Sequence, residues 1–97
     1  MPTEDEREHL SSIFSALSNP VRLKILSTIS ETKRPLHIKA VAKTLRMDYA
    51  AVYRHIDVLK KAGLVQIFEV GRSRVLSPLN TDVVNQICEL AQRIEHE

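Results

Sequence analysis

The stretch LHIKAVAKTLRMDYAAVYRHIDVLKKAGLVQIFEVGRSRVL, Leu36 to Leu76, decides the fold. Ile38-Lys39-Ala40-Val41-Ala42-Lys43-Thr44-Leu45 has the apolar stripe of a short helix, and a tight break follows at Arg46-Met47. A second striped helix opens at Asp48, an N-cap residue type that leaves its first amides near a DNA backbone, and ends at Gly63, the expected left-handed stop after Lys60-Lys61. Val65–Glu69 and Arg74–Ser77 are strand-like, and Gly71 permits a turn through Gly71-Arg72-Ser73-Arg74. Helix, turn, helix and hairpin make a winged helix-turn-helix, with the helix pair over about 37–62 and the wing over 65–77.

The second helix of the pair can be unrolled. At about 100° per residue, Ile56 and Leu59 fall within about 40° of Val52 and define a buried side. Ala50 and Arg54 lie opposite, with Asp57 and Lys61 on that outer side and Tyr53 on its flank. Tyr49 is intermediate, but it sits in the first turn, where recognition helices reach base edges. Arg54 is the best candidate to read a base or clamp a phosphate, because its fork bonds guanine bidentately. Tyr49 and Tyr53 have two readings: donors to phosphate that stack on sugar or thymine methyl groups, or half-buried packing residues. His55, nearer the core side, is a structural histidine or a phosphate donor. Arg72, Ser73 and Arg74 form the expected wing tip, aimed at the minor groove or its phosphates. Lys33, Arg34, Lys39 and Lys43 offer further backbone contacts.

The flanks supply what the helix pair lacks. Thr3-Glu4-Asp5-Glu6 is a capping box, and Leu10, Ile13, Phe14 and Leu17 stripe the helix that follows to about Leu17. Asn19-Pro20 starts a second helix, buried through Val21, Ile25, Leu26 and Ile29, which ends in the loop Thr32-Lys33-Arg34-Pro35. After Pro78, Asn80 or Thr81 caps a last helix whose apolar face is wide. Its spacing at Val83, Ile87, Leu90 and Ile94 has the 4-3-4 rhythm of helix–helix packing. The terminal helices, 3–17 and 81–96, are read as a dimer interface formed by Leu10, Ile13, Phe14, Val83, Ile87, Leu90 and Ile94. The competing reading is that the last helix only covers the chain's own core.

The fold class is therefore mainly α with a small β-hairpin: about five helices and a two-stranded wing in one domain, 1–97. A chain of 97 residues buries only roughly 60–65% of its unfolded surface, which makes help from a second subunit unsurprising. The net charge of +2 hides a partition. Residues 1–19 hold Arg7 against Glu4, Asp5, Glu6 and Glu8, net −3; residues 81–97 hold Arg93 against Asp82, Glu89, Glu95 and Glu97, net −3. The middle, 20–80, holds twelve Lys and Arg against Glu31, Asp48, Asp57 and Glu69, net +8. A basic centre between acidic ends points to a polyanion-facing core. The chain offers no membrane span and no secretory signal, so the expected location is cytoplasmic. The single cysteine, Cys88, excludes an internal disulfide; it is a small buried apolar residue or a thiol that pairs across a dimer and responds to oxidant. No nucleophile–base grouping, glycine phosphate loop or paired carboxylate suggests an enzyme.

Ala16-Leu17-Ser18-Asn19-Pro20-Val21-Arg22-Leu23-Lys24-Ile25-Leu26 resembles the opening signature of the ArsR-type winged-helix transcriptional regulators. Val52 to Val65 resembles their recognition helix and its exit into the wing, and Val70-Gly71-Arg72-Ser73-Arg74 their wing turn. The resemblance spans about residues 13–80. It implies a homodimer, joined by its first and last helices, that binds double-stranded DNA at a partly palindromic operator and represses transcription. The recognition positions it implies are Asp48, Tyr49, Ala50, Tyr53 and Arg54. The family often has Ser-Gln-Pro and then Ser there, so Tyr49 and Tyr53 depart from the pattern and put the target sequence in doubt. The family's cysteine metal motif is missing from the first helix of the pair. Its second metal site would use Asp82, but Val84 stands at the expected histidine, and Glu95 and His96 do not rebuild it. No metal, cofactor or effector is expected. The alternative function is a winged-helix module for protein–protein contact within a transcription complex, but such a module needs neither an outward Arg54 nor an arginine-bearing wing.

Overall fold

The computed structural model describes residues 1–32 and 34–95; the contact expected of Lys33 and the part considered for His96 lie outside them. The elements are α1 (Glu4–Leu17), α2 (Pro20–Ser30), β1 (Leu36–His37), α3 (Ile38–Leu45), α4 (Tyr49–Lys61), β2 (Val65–Val70), β3 (Ser73–Pro78) and α5 (Thr81–Glu95).

Helix boundaries follow local chemistry. At the head of α1, the Thr3 amide donates to Glu6 Oε1 at 3.0 Å and the Glu6 amide donates to Thr3 Oγ1 at 3.3 Å. The Thr3 amide first, and the Thr3 hydroxyl after it, hold the Glu6 carboxyl below the usual carboxylate range. Asn19 Oδ1 accepts from the Val21 and Arg22 amides and so caps α2, with Pro20 in its first turn. α3 stops because Arg46 enters the left-handed region (φ 56°) and the Met47 amide closes onto the Ala42 carbonyl. α4 ends likewise: Gly63 has φ 79°, and the Leu64 amide bonds the Leu59 carbonyl.

Two local expectations are corrected. Asp48 occupies the N-cap of α4, but its side chain makes no capping hydrogen bond. Asn80 precedes α5 in a left-handed conformation (φ 55°) and spends its side-chain amide on the Gly63 carbonyl, 2.9 Å away. It therefore ties the start of α5 to the end of α4.

One hydrophobic cluster joins these elements. Ile25 and Ile29 from α2, Ile38 and Val41 from α3, Val52, Ile56 and Leu59 from α4, Val65 from β2 and Leu76 from β3 have essentially no exposure. Burial of each such side chain stabilises the fold by about 1.5–3 kcal/mol. The helix pair is thus held from behind by α2 and from below by the sheet.

The sheet has three antiparallel strands in the order β1-β3-β2, one more than the sequence suggests. β1 is two residues long, with Leu36 opposite Leu76 and His37 opposite Val75. In the wing, Val70 pairs with Ser73, so the turn is only Gly71-Arg72, with Gly71 at φ 62°. Ser73 and Arg74 belong to β3, which corrects the expectation that all three residues from Arg72 to Arg74 sit at the tip.

Candidate nucleic-acid interface

The core fixes the face that α4 turns outward. Val52, Ile56 and Leu59 are fully buried; Ala50 and Arg54, half a turn away, are exposed. Asp57 and Lys61 neutralise one another at 2.9 Å along the same helix. Among the described residues this is the one ion pair, so Arg54 is not committed to a carboxylate. Lys39, Ala40 and Lys43 are exposed on α3, whose opposite side buries Ile38, Val41 and Ala42.

Between the start of α4, α3 and the wing lies an open groove of about 850 Å³. Lys39 and Lys43 line it from α3, and Tyr49 lines it from α4. Arg72, Ser73 and Arg74 close it on the wing side, and His37 and Ala40 complete the wall. Among the described residues no carboxylate lines it. Four permanent cations around one concavity, with low-dielectric walls behind them, concentrate positive potential there. Arg34 is exposed in the loop before β1 and is not part of this wall.

The tyrosines and Arg74 are connected. Tyr49, 43% exposed, stacks on half-buried Tyr53 with ring centroids 6.2 Å apart and planes 20° from parallel. The Arg74 guanidinium carbon lies 5.1 Å from the centre of the Tyr53 ring. Arg74 therefore turns toward α4, while Arg72 alone of the two wing arginines occupies the turn.

Arg22 is a side chain to which the sequence assigned no role. Its Nε donates to the Ala16 carbonyl at 2.7 Å and its Nη2 to the Ser15 carbonyl at 3.0 Å, which caps the end of α1. Its Nη1 lies 3.2 Å from His55 Nδ1. A guanidinium only donates, so Nδ1 accepts and the ring proton sits on Nε2. Burial pushes the His55 pKa down, and the charges of Arg22 and Arg54 push it further. His55 is thus a structural, neutral histidine that joins α4 to α1 through Arg22.

Comparison with known proteins accords with this geometry. A family model described as a helix-turn-helix domain matches residues 17–67. The HTH-type transcriptional regulator NmtR of Mycobacterium tuberculosis is 33% identical over 87 residues, covering 90% of this chain and 71% of its own length. A transcriptional repressor SmtB homolog of Synechocystis is 26% identical over 91 residues, covering 94% and 67%. The chain belongs to the ArsR-type winged helix-turn-helix regulators. A homodimeric winged helix-turn-helix DNA-binding domain from Mycobacterium bovis, a possible ArsR-family regulator, superimposes with a TM-score of 0.81 over 99% of this chain and 94% of its own; at 18% identity it speaks for the fold alone.

In this ArsR-type chain the terminal helices divide their apolar residues. α5 turns Val84 into the core and rests Cys88 against it, half-buried, while Val83, Leu90 and Ile94 are 53, 56 and 78% exposed. On α1, Phe14 is 53% exposed, and Leu10 and Ile13 are half-buried, as is Ile87 on α5. The face of α5 is therefore not used up by the chain's own core. The residues do not fit an ArsR-type metal site: Val84, at the position where the family has histidine, is an apolar side chain in the core, 8% exposed. Among the described residues no group of three His, Cys, Asp or Glu could hold an ion. No described helix is long and apolar enough to cross a membrane.

Proposed function

We propose that the protein is a homodimeric, sequence-specific DNA-binding repressor of transcription. The observation that supports it best is the groove walled by Lys39, Lys43, Arg72 and Arg74, with no carboxylate among the described residues, set beside the outward face of α4. In this reading α4 enters the major groove. Arg54 reads a base edge, with Ala50 leaving room for its close approach. Tyr49 meets the sugar or a thymine methyl at the first turn, and Lys39 bonds the backbone from α3. Arg72 and Ser73 reach the backbone or minor groove beyond the wing turn, and Tyr53 and Arg74 complete the face from the junction between α4 and the wing.

Self-association is supported by Phe14, Val83, Leu90 and Ile94, large apolar side chains left exposed on the two terminal helices. The acidic ends of the sequence fall in the segments that carry these helices, apart in sequence from the basic centre. A two-fold dimer would present its recognition helices about 34 Å apart, to successive major grooves of a partly palindromic site. Repression is supported by the naming of the Synechocystis relative as a repressor.

A binding titration on genomic fragments across a salt series tests the reading. Log affinity should fall with log salt at a slope of about −0.9 per phosphate contacted, with selected fragments preferred over random DNA. A flat response, or no preference, refutes it and favours protein–protein contact.

A further inference from the structure

The register of the wing separates its two arginines. Val65, Ile67 and Glu69 of β2 stand opposite Pro78, Leu76 and Arg74 of β3, and buried Leu76 marks this as the face turned to the helices. Arg74 thus leaves the sheet on its inner side, two residues from the core. A cross-strand carboxylate, Glu69, stands directly opposite, yet the guanidinium makes no ion pair with it and lies over Tyr53. Tyr53 is itself held on two sides, by packing against the core and by the stacked Tyr49 ring.

We propose that Tyr53 is a positioning residue that holds Arg74 against the recognition helix, where Arg74 clamps a phosphate beside the major groove. The inference rests on the DNA-binding reading and deepens it. A guanidinium carries five N–H donors, and among the described residues Arg74 makes no side-chain hydrogen bond or ion pair beside its contact with the ring, so donors remain to bond a phosphate bidentately. Arg74 also shares the groove wall with Lys39 and Lys43, so the anion it meets is one beside the first turn of α4. An arginine held toward α4 in this way is turned away from the minor groove beyond the wing turn, which leaves that position to Arg72. Wing and recognition helix then dock as one body. A cation–π contact of this exposed kind biases the side chain about two- to fivefold toward the stacked position.

The test is a double-mutant cycle on the preferred genomic fragment, titrated across a salt series with wild type, Tyr53→Leu, Tyr53→Phe, Arg74→Ala and the Tyr53→Leu/Arg74→Ala pair. Arg74→Ala should reduce the salt slope by about 0.9. Tyr53→Leu should weaken binding about two- to fivefold more when Arg74 is present than when position 74 is already Ala; Tyr53→Phe, which keeps the ring, should keep the part of the salt slope that Arg74 contributes. In the free protein, the Arg74 Hδ resonances should be shifted upfield by the ring in wild type and Tyr53→Phe, but not in Tyr53→Leu. A purely structural Tyr53 would cost the same in both backgrounds, and that additivity overturns the proposal. Unshifted Hδ resonances in wild type, or a salt slope indifferent to Arg74→Ala, overturn it as well. If wild type itself shows no salt dependence, the DNA reading falls and takes this inference with it; a normal wild-type slope with an additive cycle removes the positioning role alone.

Discussion

Arg22→Ala should cost the fold about 2 kcal/mol, although Arg22 lies outside the basic groove. The reason lies four residues on from Ala16. The helical partner of the Ala16 carbonyl would be the amide of Pro20, which has no N–H, so the Arg22 Nε at 2.7 Å takes its place. Ala16 is fully buried, and an orphaned carbonyl there costs about 1–3 kcal/mol. The Ser15 carbonyl matters less, because the Ser18 amide and hydroxyl also bond it, at 3.2 and 2.7 Å. A cation at the end of α1 adds about 0.3–1 kcal/mol through the helix dipole, partly the same interaction counted again. A total near 2 kcal/mol shifts the Tm of a domain this size by about 8–16 °C.

Thermal melts of wild type, Arg22→Ala and Arg22→Lys at one protein concentration would measure it. Lysine keeps the charge but cannot fork between two carbonyls and an imidazole, so it should recover less than half of the loss. The His55 pKa should rise in Arg22→Ala, because one of the charges that lowers it is gone. A shift of only a degree or two, or full recovery by lysine, would show that Arg22 acts as a diffuse surface charge and not as the cap of α1.

Three other outcomes are expected. His55 is held below the ordinary histidine value of about 6.5 by burial and by Arg22 and Arg54, so on acidification the unfolded chain takes up this proton first. The stability it contributes above about pH 6.5 is therefore lost as pH falls through the folded pKa, and Tm followed down to about pH 5 should fall less steeply in His55→Gln, whose carbonyl accepts from Arg22 without titrating. Leu90→Glu/Ile94→Glu should remove about 3 kcal/mol of apolar contact between subunits and weaken self-association about a hundredfold in sedimentation, with the helical content kept; an unchanged mass would move the interface elsewhere. Arg54→Ala should flatten preference among operators, whereas Arg72→Ala should lower affinity for all sequences alike. Equal losses on every sequence with Arg54→Ala would make that side chain a phosphate clamp.

Much of the fold was legible because its signals are local. Thr3 with Glu6, Asn19-Pro20 and Gly63 each fix a helix end through bonds made within a few residues, and the period of Val52, Ile56 and Leu59 sets the outward direction of Arg54 without reference to the rest of the chain. The missing pieces are those whose meaning lies in a distant partner. β1 is two residues long and exists only because Leu36 and His37 meet Leu76 and Val75. A four-residue turn through Gly71-Arg72-Ser73-Arg74 would place Arg74 at the tip; the two-residue turn shifts it into the ladder. The available signal was parity, since Arg74 and the apolar Leu76 are two apart and must share a face. Arg22 had a signal too: the proline that starts α2 removes the amide that the Ala16 carbonyl would otherwise use.

Consecutive positions on α4 then divide three tasks. Tyr53 meets Arg74 of the wing, Arg54 faces outward, and His55 meets Arg22 and, through it, the end of α1. At about 100° per residue these directions splay around the helix, so contacts on both flanks of Arg54 resist rotation of α4 about its own axis. At a side-chain radius of about 5–6 Å, a 20° rotation would carry an outward group by about 2 Å, more than a bidentate bond to a base tolerates. The proposed reading of a base by Arg54 therefore depends on two side chains that need not touch it. One of them connects to α1, which carries part of the exposed apolar face, so the proposed seating of a second subunit there would reach the aim of Arg54 through His55 as well as through the shared core.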